Sequence, residues 1–426
     1  MFRKIEIWIL FLTVLIFLIF TILFGHILRH HYRGGNDFSI FQNIAVFIAE
    51  IPSNTKRIIK GDFPPSLSRH QNKKKIEINN RNYKSKNLLL IPRFDGNKGA
   101  SLVDLVNLSD LSLIHRYSIN FDQLNNLIIN NRNNNHAIKN DFKTQRHLIG
   151  NPVILDDASI IYSGDGALIK IDKCNNINWV NLDTSFHHSN FLSSNQSVWS
   201  SGKKDGSDSI VEVSLDGELI YNKSVPELLY ENKIFSLSDI YTTEDPVHLN
   251  DIEEAFFDSK FWQKGDLFLS LRSVSAIVHY RPSENLVINY IKGPFYMQHD
   301  VDIISDHEIS IFNNNNSILD DNKYSQVIIY NFKNKKFTKK FNDSIIDLNI
   351  KTYSQGLSEI NNEGDLLIEE QNNGRLVLFD NKGQLVWEYL NKSNKGEIYE
   401  FTWSRLIKEE EKINLIFQSL SNLKCL

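Results

Sequence analysis

LIKIDKCNNINW at residues 168–179 and LVLFDNKGQLVW at residues 376–387 are two copies of one pattern. Each has an apolar alternation, an Asp, a turn, and a Trp seven residues after the Asp. Alternation with period two marks a half-buried strand. Asp, Asn and Gly are the residues that turn a chain back on itself. VEVSL, then Asp216-Gly217, then ELIY has the same hairpin form.

Sliding this template along the chain finds six copies. The turn begins at Val106, Asp172, Ser214, Arg281, Asn331 and Asp380. Seven residues on stand Leu113, Trp179, Tyr221, Ile288, Thr338 and Trp387, five of them large and apolar or aromatic. The spacings are 66, 42, 67, 50 and 49 residues, and the two long ones leave room for insertions near 120–145 and 225–260. A period of about 40–50 residues built only of strands predicts a propeller, in which each four-stranded blade packs face to face on its neighbours. The expected fold is therefore an all-β, six-bladed β-propeller over residues 86–426, with the strand LLLI at 88–91 completing the last blade and fastening the ring. A two-sheet sandwich is the alternative, but it does not account for six copies. Trp179, Trp387 and Trp403 are expected in the core.

The amino terminus is of another kind. IWILFLTVLIFLIFTILFG at 7–25 carries no charge. As a helix it spans about 28 Å, close to the apolar thickness of a bilayer. With no small-x-small cleavage site it predicts an uncleaved transmembrane anchor, set within residues 1–28. Arg3 and Lys4 on one flank balance Arg29 and Arg33 on the other, so flanking charge leaves the orientation open. Residues 37–51 predict a short amphipathic helix, N-capped by Asp37, with Phe41, Ile44, Ala45 and Ile48 on one face and Pro52 after its end. It suits a membrane surface or the propeller base equally. From 53 to 85 the chain is polar, with Pro64-Pro65 and Lys73-Lys74-Lys75, so 29–85 is expected to be helix plus tether.

A net charge of −4 argues against a nucleic-acid partner. There is no phosphate-cradling glycine loop of either common type, and no H-E-x-x-H or G-x-S-x-G. Cys174 and Cys425 are too few for a disulfide scaffold. They form one bridge if the domain sits in an oxidising compartment, and otherwise remain two thiols.

A second register concerns the inner strands. His188 precedes Val198 by ten residues, His299 precedes Ile309 by ten, and Gly356 precedes Leu366 by ten. His248 opens a similar segment with an insertion. In a propeller such positions converge on the mouth of the central channel, so His188, His248 and His299 are expected to face one small space.

The segments HHSNFLSSNQSVW, HLNDIEEAFF followed by GDLFLSLRSVSAIVHY, and QHDVDIISDHEISIFNN resemble the signature segments of the bacterial arylsulfotransferases. The ordered set H-H, H-x-N, S-x-R and Q-H-D is more specific than any one of them. That resemblance implies a six-bladed propeller that transfers sulfate between phenolic compounds without a nucleotide donor or other cofactor, through a covalent sulfohistidine. Carried over by residue, it implies His299 as nucleophile, His248 and Arg272 as catalytic partners, and Asn250 as a substrate-binding group; His188 or His187 matches the family's earlier histidine, and the ten-residue register favours His188 as the catalytic one, with His187 as a substrate-binding group. Aryl sulfates and phenols are the partners it implies, and it places the propeller in the periplasm or otherwise outside the cytoplasm. Asp300 could orient a ring or point into its blade. Ser358, Glu359 and Arg405 could line the channel or brace a blade. The Asn runs 130–135 and 313–316 are expected as loops.

Two other readings compete. A propeller can keep its fold and serve only as a membrane-bound binding or scaffold protein. Alternatively, His188, His248 and His299 could hold a metal ion, although the positive charge of Arg272 disfavours a cation there.

Overall fold

The computed structural model describes residues 6–32, 39–60, 66–131, 147–204, 206–241, 245–316, 323–421 and 425. Arg3, Lys4, Arg33, Asp37, Pro64-Pro65 and 132–135 lie outside the described residues. The remainder divides into an amino-terminal helical unit and a larger unit containing all the strands.

In the first unit, α1 (Ile7–Tyr32) is uncharged and apolar from Ile7 to Gly25, ends in a polar turn with Arg29, His30 and His31, and is long enough to cross a membrane. The second helix, α2 (Ser39–Lys60), does not stop at Pro52 as expected but runs through it. Pro52 removes one backbone donor, which leaves the Ile48 carbonyl without its usual helical partner. Ile48 is exposed, so water can take that place. Gln42 Nε2 and His30 Nδ1 bond at 3.0 Å, joining the two helices.

The second unit is a six-bladed β-propeller. Strand β1 (Ile76–Ile78) precedes β2 (Leu88–Asp95), β3 (Ala100–Asn107) and β4 (Leu113–Ser118). The second blade is β5 (Gly150–Ile154), β6 (Ile160–Gly164), β7 (Ala167–Ile171) and β8 (Ile177–Asn181). The third is β9 (His187–Leu192), β10 (Ser197–Lys204), β11 (Ser207–Ser214) and β12 (Leu219–Ser224). The fourth is β13 (Leu249–Glu254), β14 (Leu267–Leu271), β15 (Ala276–Arg281) and β16 (Leu286–Ile291). The fifth is β17 (Asp300–Ile303), β18 (Glu308–Asn313), β19 (Gln326–Asn331) and β20 (Lys336–Lys340). The sixth is β21 (Leu357–Ile360), β22 (Leu366–Glu370), β23 (Arg375–Phe379) and β24 (Leu385–Leu390). Finally β25 (Arg405–Ile407) joins β2, β3 and β4 to make the first blade.

All six template copies fall on the third and fourth strands of a blade. The template Asp works as a turn staple. Asp172 Oδ1 accepts the backbone N–H groups of Cys174 and Asn176, and Asp380 Oδ1 accepts those of Lys382 and Gln384. The template Trp reaches the next blade: Trp179 Nε1–H donates to Leu215 O at 2.9 Å, and Trp387 Nε1–H to Leu108 O at 2.8 Å.

The ring is fastened differently from the expectation. Every residue of β2 is buried, which suits an interior strand. It is the second strand of the first blade, and β25 closes that blade from within. The sixth blade gains β1 as a fifth, outer strand. Leu67 also bridges Ile398, and Arg69 donates to Glu370 at 3.0 Å, so the stretch from Leu67 to Ile78 is bonded to the propeller.

Apolar clusters fill the gaps between neighbouring blades. Trp199, Ile210, Leu269 and Val278 lie between the third and fourth, and Leu89, Val106, Leu378 and Trp387 between the sixth and first. The two long spacings hold α3 (Phe121–Asn131), and α4 (Val225–Glu231) with α5 (Leu237–Tyr241). Later come α6 (Asn342–Asp347) and α7 (Glu410–Ser421). Beyond α7, Cys425 forms a disulfide with Cys174 in the β7–β8 turn, resolving the two alternatives left by the sequence.

Candidate active site

The innermost strands β9, β13 and β17 start at one end of the ring, and their starts carry the predicted site. Counting back from the first hairpin turn, Leu192 pairs with Val198, Glu254 with Leu267 and Ile303 with Ile309. Four residues before these stand His188, Asn250 and His299. His248 lies two residues earlier than that register. Even so, its ring meets the ring of His188 edge-on, with centroids 5.1 Å apart at 75°. The chain turns sharply here. His188, His248 and Met297 have φ of 45°, 51° and 55°, a left-handed backbone that costs a non-glycine residue on the order of 1–3 kcal/mol. Such strain persists only where the surroundings fix it.

Each of the three imidazoles is anchored through Nδ1. His299 is almost fully buried, and its Nδ1–H donates to Asn314 Oδ1 at 2.6 Å. The Asn314 amide nitrogen donates to Thr352 O and Gln355 O, which fixes the oxygen toward the histidine. His248 Nδ1–H donates to Asp245 Oδ2, while Asp245 Oδ1 accepts the backbone N–H of His248. His188 and His187 share a proton between their Nδ1 atoms, 2.7 Å apart. His187 Nε2–H in turn faces Gly202 O at 3.1 Å and Asp208 at 3.3 Å. Since one nitrogen of a neutral imidazole is a donor and the other an acceptor, His299 presents an unprotonated Nε2 atom.

Burial sets the charge state. It pushes His299 down to about 3, against the hydrogen bond to Asn314, with Arg272 and His248 adding to the depression. Burial also holds His188 well below the usual imidazole range, followed by repulsion from His187, His248 and His299. Both rings are neutral at pH 7.

A cavity of about 240 Å³ opens here, lined among others by Phe186, His187, His188, His299, Asp165 and Trp403. His248, Asn250 and Arg272 lie beside it rather than on it. The Arg272 backbone N–H donates to His248 O at 3.0 Å, and the Arg272 side-chain Nε–H is buried with no hydrogen-bond partner among the described residues. Asn250 braces the strand that carries His299: its Nδ2 donates to Gln298 O at 3.2 Å, and its Oδ1 has no partner among the described residues. Asp300 turns away from the mouth, and its Oδ2 accepts the backbone N–H of Ser358 in the next blade. Glu359 Oε1 similarly accepts the N–H of Leu406. Arg405 donates to Asn151 Oδ1 and Asn190 O, tying the first, second and third blades together. Among the described residues no group of three or more His, Cys, Asp or Glu side chains is arranged to hold a metal ion.

Residues 145–392 match the family described as Arylsulfotransferase (ASST). The chain belongs to the arylsulfotransferase family. That membership supports aryl sulfotransferase activity, with the H-H, H-x-N, S-x-R and Q-H-D segments all inside the matched region. Among solved structures, a protein of unknown function from Bacteroides caccae superposes with a TM-score of 0.50 at 13% identity, over 76% of this arylsulfotransferase chain and 100% of that one. Virginiamycin B lyase from Staphylococcus aureus gives 0.42 at 11% identity, over 76% and 86%. At 13% identity the likeness to the Bacteroides caccae protein concerns the fold. No curated protein matches this arylsulfotransferase.

Four residues of the site had no signal in the sequence. Asn314 is a polar loop residue whose partners His299, Thr352 and Gln355 come from distant turns, and Asp245 is a polar loop residue bonded to His248 three residues on. Asp165 sits in a turn rich in glycine. Trp403, expected as core, is indeed 7% exposed, but its exposed part lines the cavity.

Proposed function

We infer that this chain is a membrane-anchored sulfotransferase that moves a sulfuryl group from an aryl sulfate to a phenol through a covalent sulfohistidine on His299, without a nucleotide donor. The observation that carries this reading is the His299 tautomer. With Nδ1–H held by Asn314 and the ring neutral at pH 7, the Nε2 lone pair is available on the cavity side. Nε2 attacks sulfur, the sulfur–oxygen bond to the aryl group breaks, and the phenolate leaves. The ring becomes a sulfonated imidazolium whose Nδ1–H still donates to Asn314.

Charge grows on the leaving oxygen and stays on the sulfuryl oxygens. The buried Nε–H of Arg272, which has no partner among the described residues, is a donor that a sulfuryl oxygen would complete. His248, oriented by Asp245 as a base is oriented in a catalytic triad, serves as acid or base for the departing oxygen. His188 and His187 form the opposite wall, and Asn250 holds the strand that presents His299. Phe186 and Trp403 supply apolar surface for the aryl ring.

The apolar helix α1 supports anchoring in a membrane. The Cys174–Cys425 disulfide supports an oxidising compartment, and so an extracytoplasmic or periplasmic propeller.

The test is to mix purified full-length protein, in detergent, with an aryl sulfate. A burst of phenolate, and a gain of one sulfuryl group on the His299 peptide, are expected. Phenolate release that survives His299→Ala would overturn the assignment.

A further inference from the structure

We propose that Asp165 binds the hydroxyl of the acceptor phenol and takes its proton in the second half of the reaction, with His147 holding it in place; this rests on the sulfohistidine reading above. Asp165 lies in the β6–β7 turn and lines the same cavity as His299 and His188. Its side chain is 22% exposed, whereas that of His147 behind it is 2% exposed. His147 Nδ1–H donates to Asp165 Oδ2.

The pair is built into the fold. His147 is packed edge-on between Phe121, 5.2 Å away, and Tyr162, 5.8 Å away. A Cβ at Gly164 would stand 2.6 Å from His147 Cε1 and 2.8 Å from its Nε2, so only glycine lets the ring lie against the turn. Asp165 itself is left-handed, with φ of 50°. An aspartate in a turn usually serves the turn. Asp95, Asp157, Asp172 and Asp380 all accept backbone N–H groups from residues just ahead of them. Asp165 accepts none among the described residues, and its one hydrogen-bond partner there is His147. A carboxylate aimed at a cavity and doing nothing for its own turn is free to accept from a ligand.

The chemistry suits the acceptor and not the donor. A carboxylate repels sulfate oxygens but accepts a hydrogen bond from a phenol. As the phenol oxygen bonds to sulfur, its proton passes to the Asp165 carboxylate. The bond between sulfur and His299 Nε2 breaks, and its electron pair returns to the nitrogen. The products are an aryl sulfate, neutral His299 and protonated Asp165, which gives its proton to water.

The two half-reactions separate this role from the nucleophile's. In full-length Asp165→Asn, the phenolate burst from an aryl sulfate is expected at wild-type amplitude. Transfer to a weakly acidic phenol is expected to fall by about 10²-fold or more, the usual worth of a general base. The defect shrinks as the acceptor becomes more acidic and disappears for a phenol already ionised at the assay pH, a dependence that damage to the turn would not produce. His147→Gln keeps the carboxylate but loosens its aim, and is expected to lose part of the transfer while keeping the burst. No burst in the wild type removes the sulfohistidine reading and this proposal with it. A wild-type burst, together with D165N transfer at the wild-type rate, D165N loss of the burst, or a defect independent of acceptor acidity, overturns this proposal alone.

Discussion

Asn314 Oδ1 accepts the Nδ1–H of His299 across 2.6 Å, and this bond leaves Nε2 as the ring nitrogen with a free lone pair, the atom to which the proposed reaction assigns the attack. Asn314→Leu removes it. The ring is then free to rotate and to move its proton to Nε2. Misplacement of a reacting group commonly costs on the order of 10²-fold, so the burst rate in stopped flow is expected to fall by about that factor. The His299 peptide should still take up sulfate slowly.

The depressed pKa of His299 gives a pH signature. An ordinary imidazole loses its lone pair below about pH 6.5. His299 keeps it down to about 3, because burial disfavours the cation. The burst rate at saturating donor is therefore expected to show no His299 inflection between pH 5 and 8. An inflection near pH 6.5 in the burst rate would contradict this reading.

Asp251 makes a linkage prediction for stability. Its oxygens accept Ser189 Oγ–H at 2.7 Å and the Val301 N–H at 3.1 Å, joining three blades. Burial, the largest influence, raises it to about 6 despite these bonds and the charge of Arg405. A carboxyl raised above its unfolded value of 3.8 stabilises fully below that value, and the contribution is lost as pH rises through about 6. The melting temperature of Asp251→Asn relative to wild type is thus expected to increase between pH 5 and pH 8, by about 2–4 °C. A constant difference across that range would contradict this reading.

The Cys174–Cys425 bridge lies in the β7–β8 turn, at the opposite end of the blade from the entry of the innermost strands. Replacing both cysteines by serine should cost about 2–5 kcal/mol, the usual worth of a native disulfide. Expected is a drop in melting temperature with the phenolate burst unchanged at 25 °C. A lost burst would mean that the bridge shapes the site.

The sequence carried much of the ring and part of the site, for separable reasons. The hairpins around Asp172 and Asp380 were legible because alternation, turn chemistry and an inter-blade Trp coincide in one short window. The closure was not. Arg405–Ile407 is three residues long, and β1 is three residues long, so neither has room for a pattern. Pairing over hundreds of residues assigns them their places. Likewise α2 passes Pro52 because a helix can lose one bond at an exposed position without ending.

At the site, His188 and His299 stood out because each keeps the same spacing from a recognisable turn, whereas His248, two residues out of that register, was legible through its H-x-N segment. Asn314 lay inside an Asn run that read as a loop. Its importance comes from Thr352 O and Gln355 O, which orient its amide from another blade. Asp165 and His147 are eighteen residues apart, on either side of a hairpin, and only the folded blade brings them together.

The placement of β25 has a consequence for biosynthesis. β2 is made early, yet one of its edges has no partner until Arg405 emerges, roughly 300 residues later. At about 5–20 residues per second that interval is on the order of 15–60 s. Throughout it, a fully apolar LLLI edge is open to pairing with any extended chain nearby. A nascent polypeptide would spend that time among other unfinished chains, so its yield should depend on holdase chaperones more than its final stability suggests.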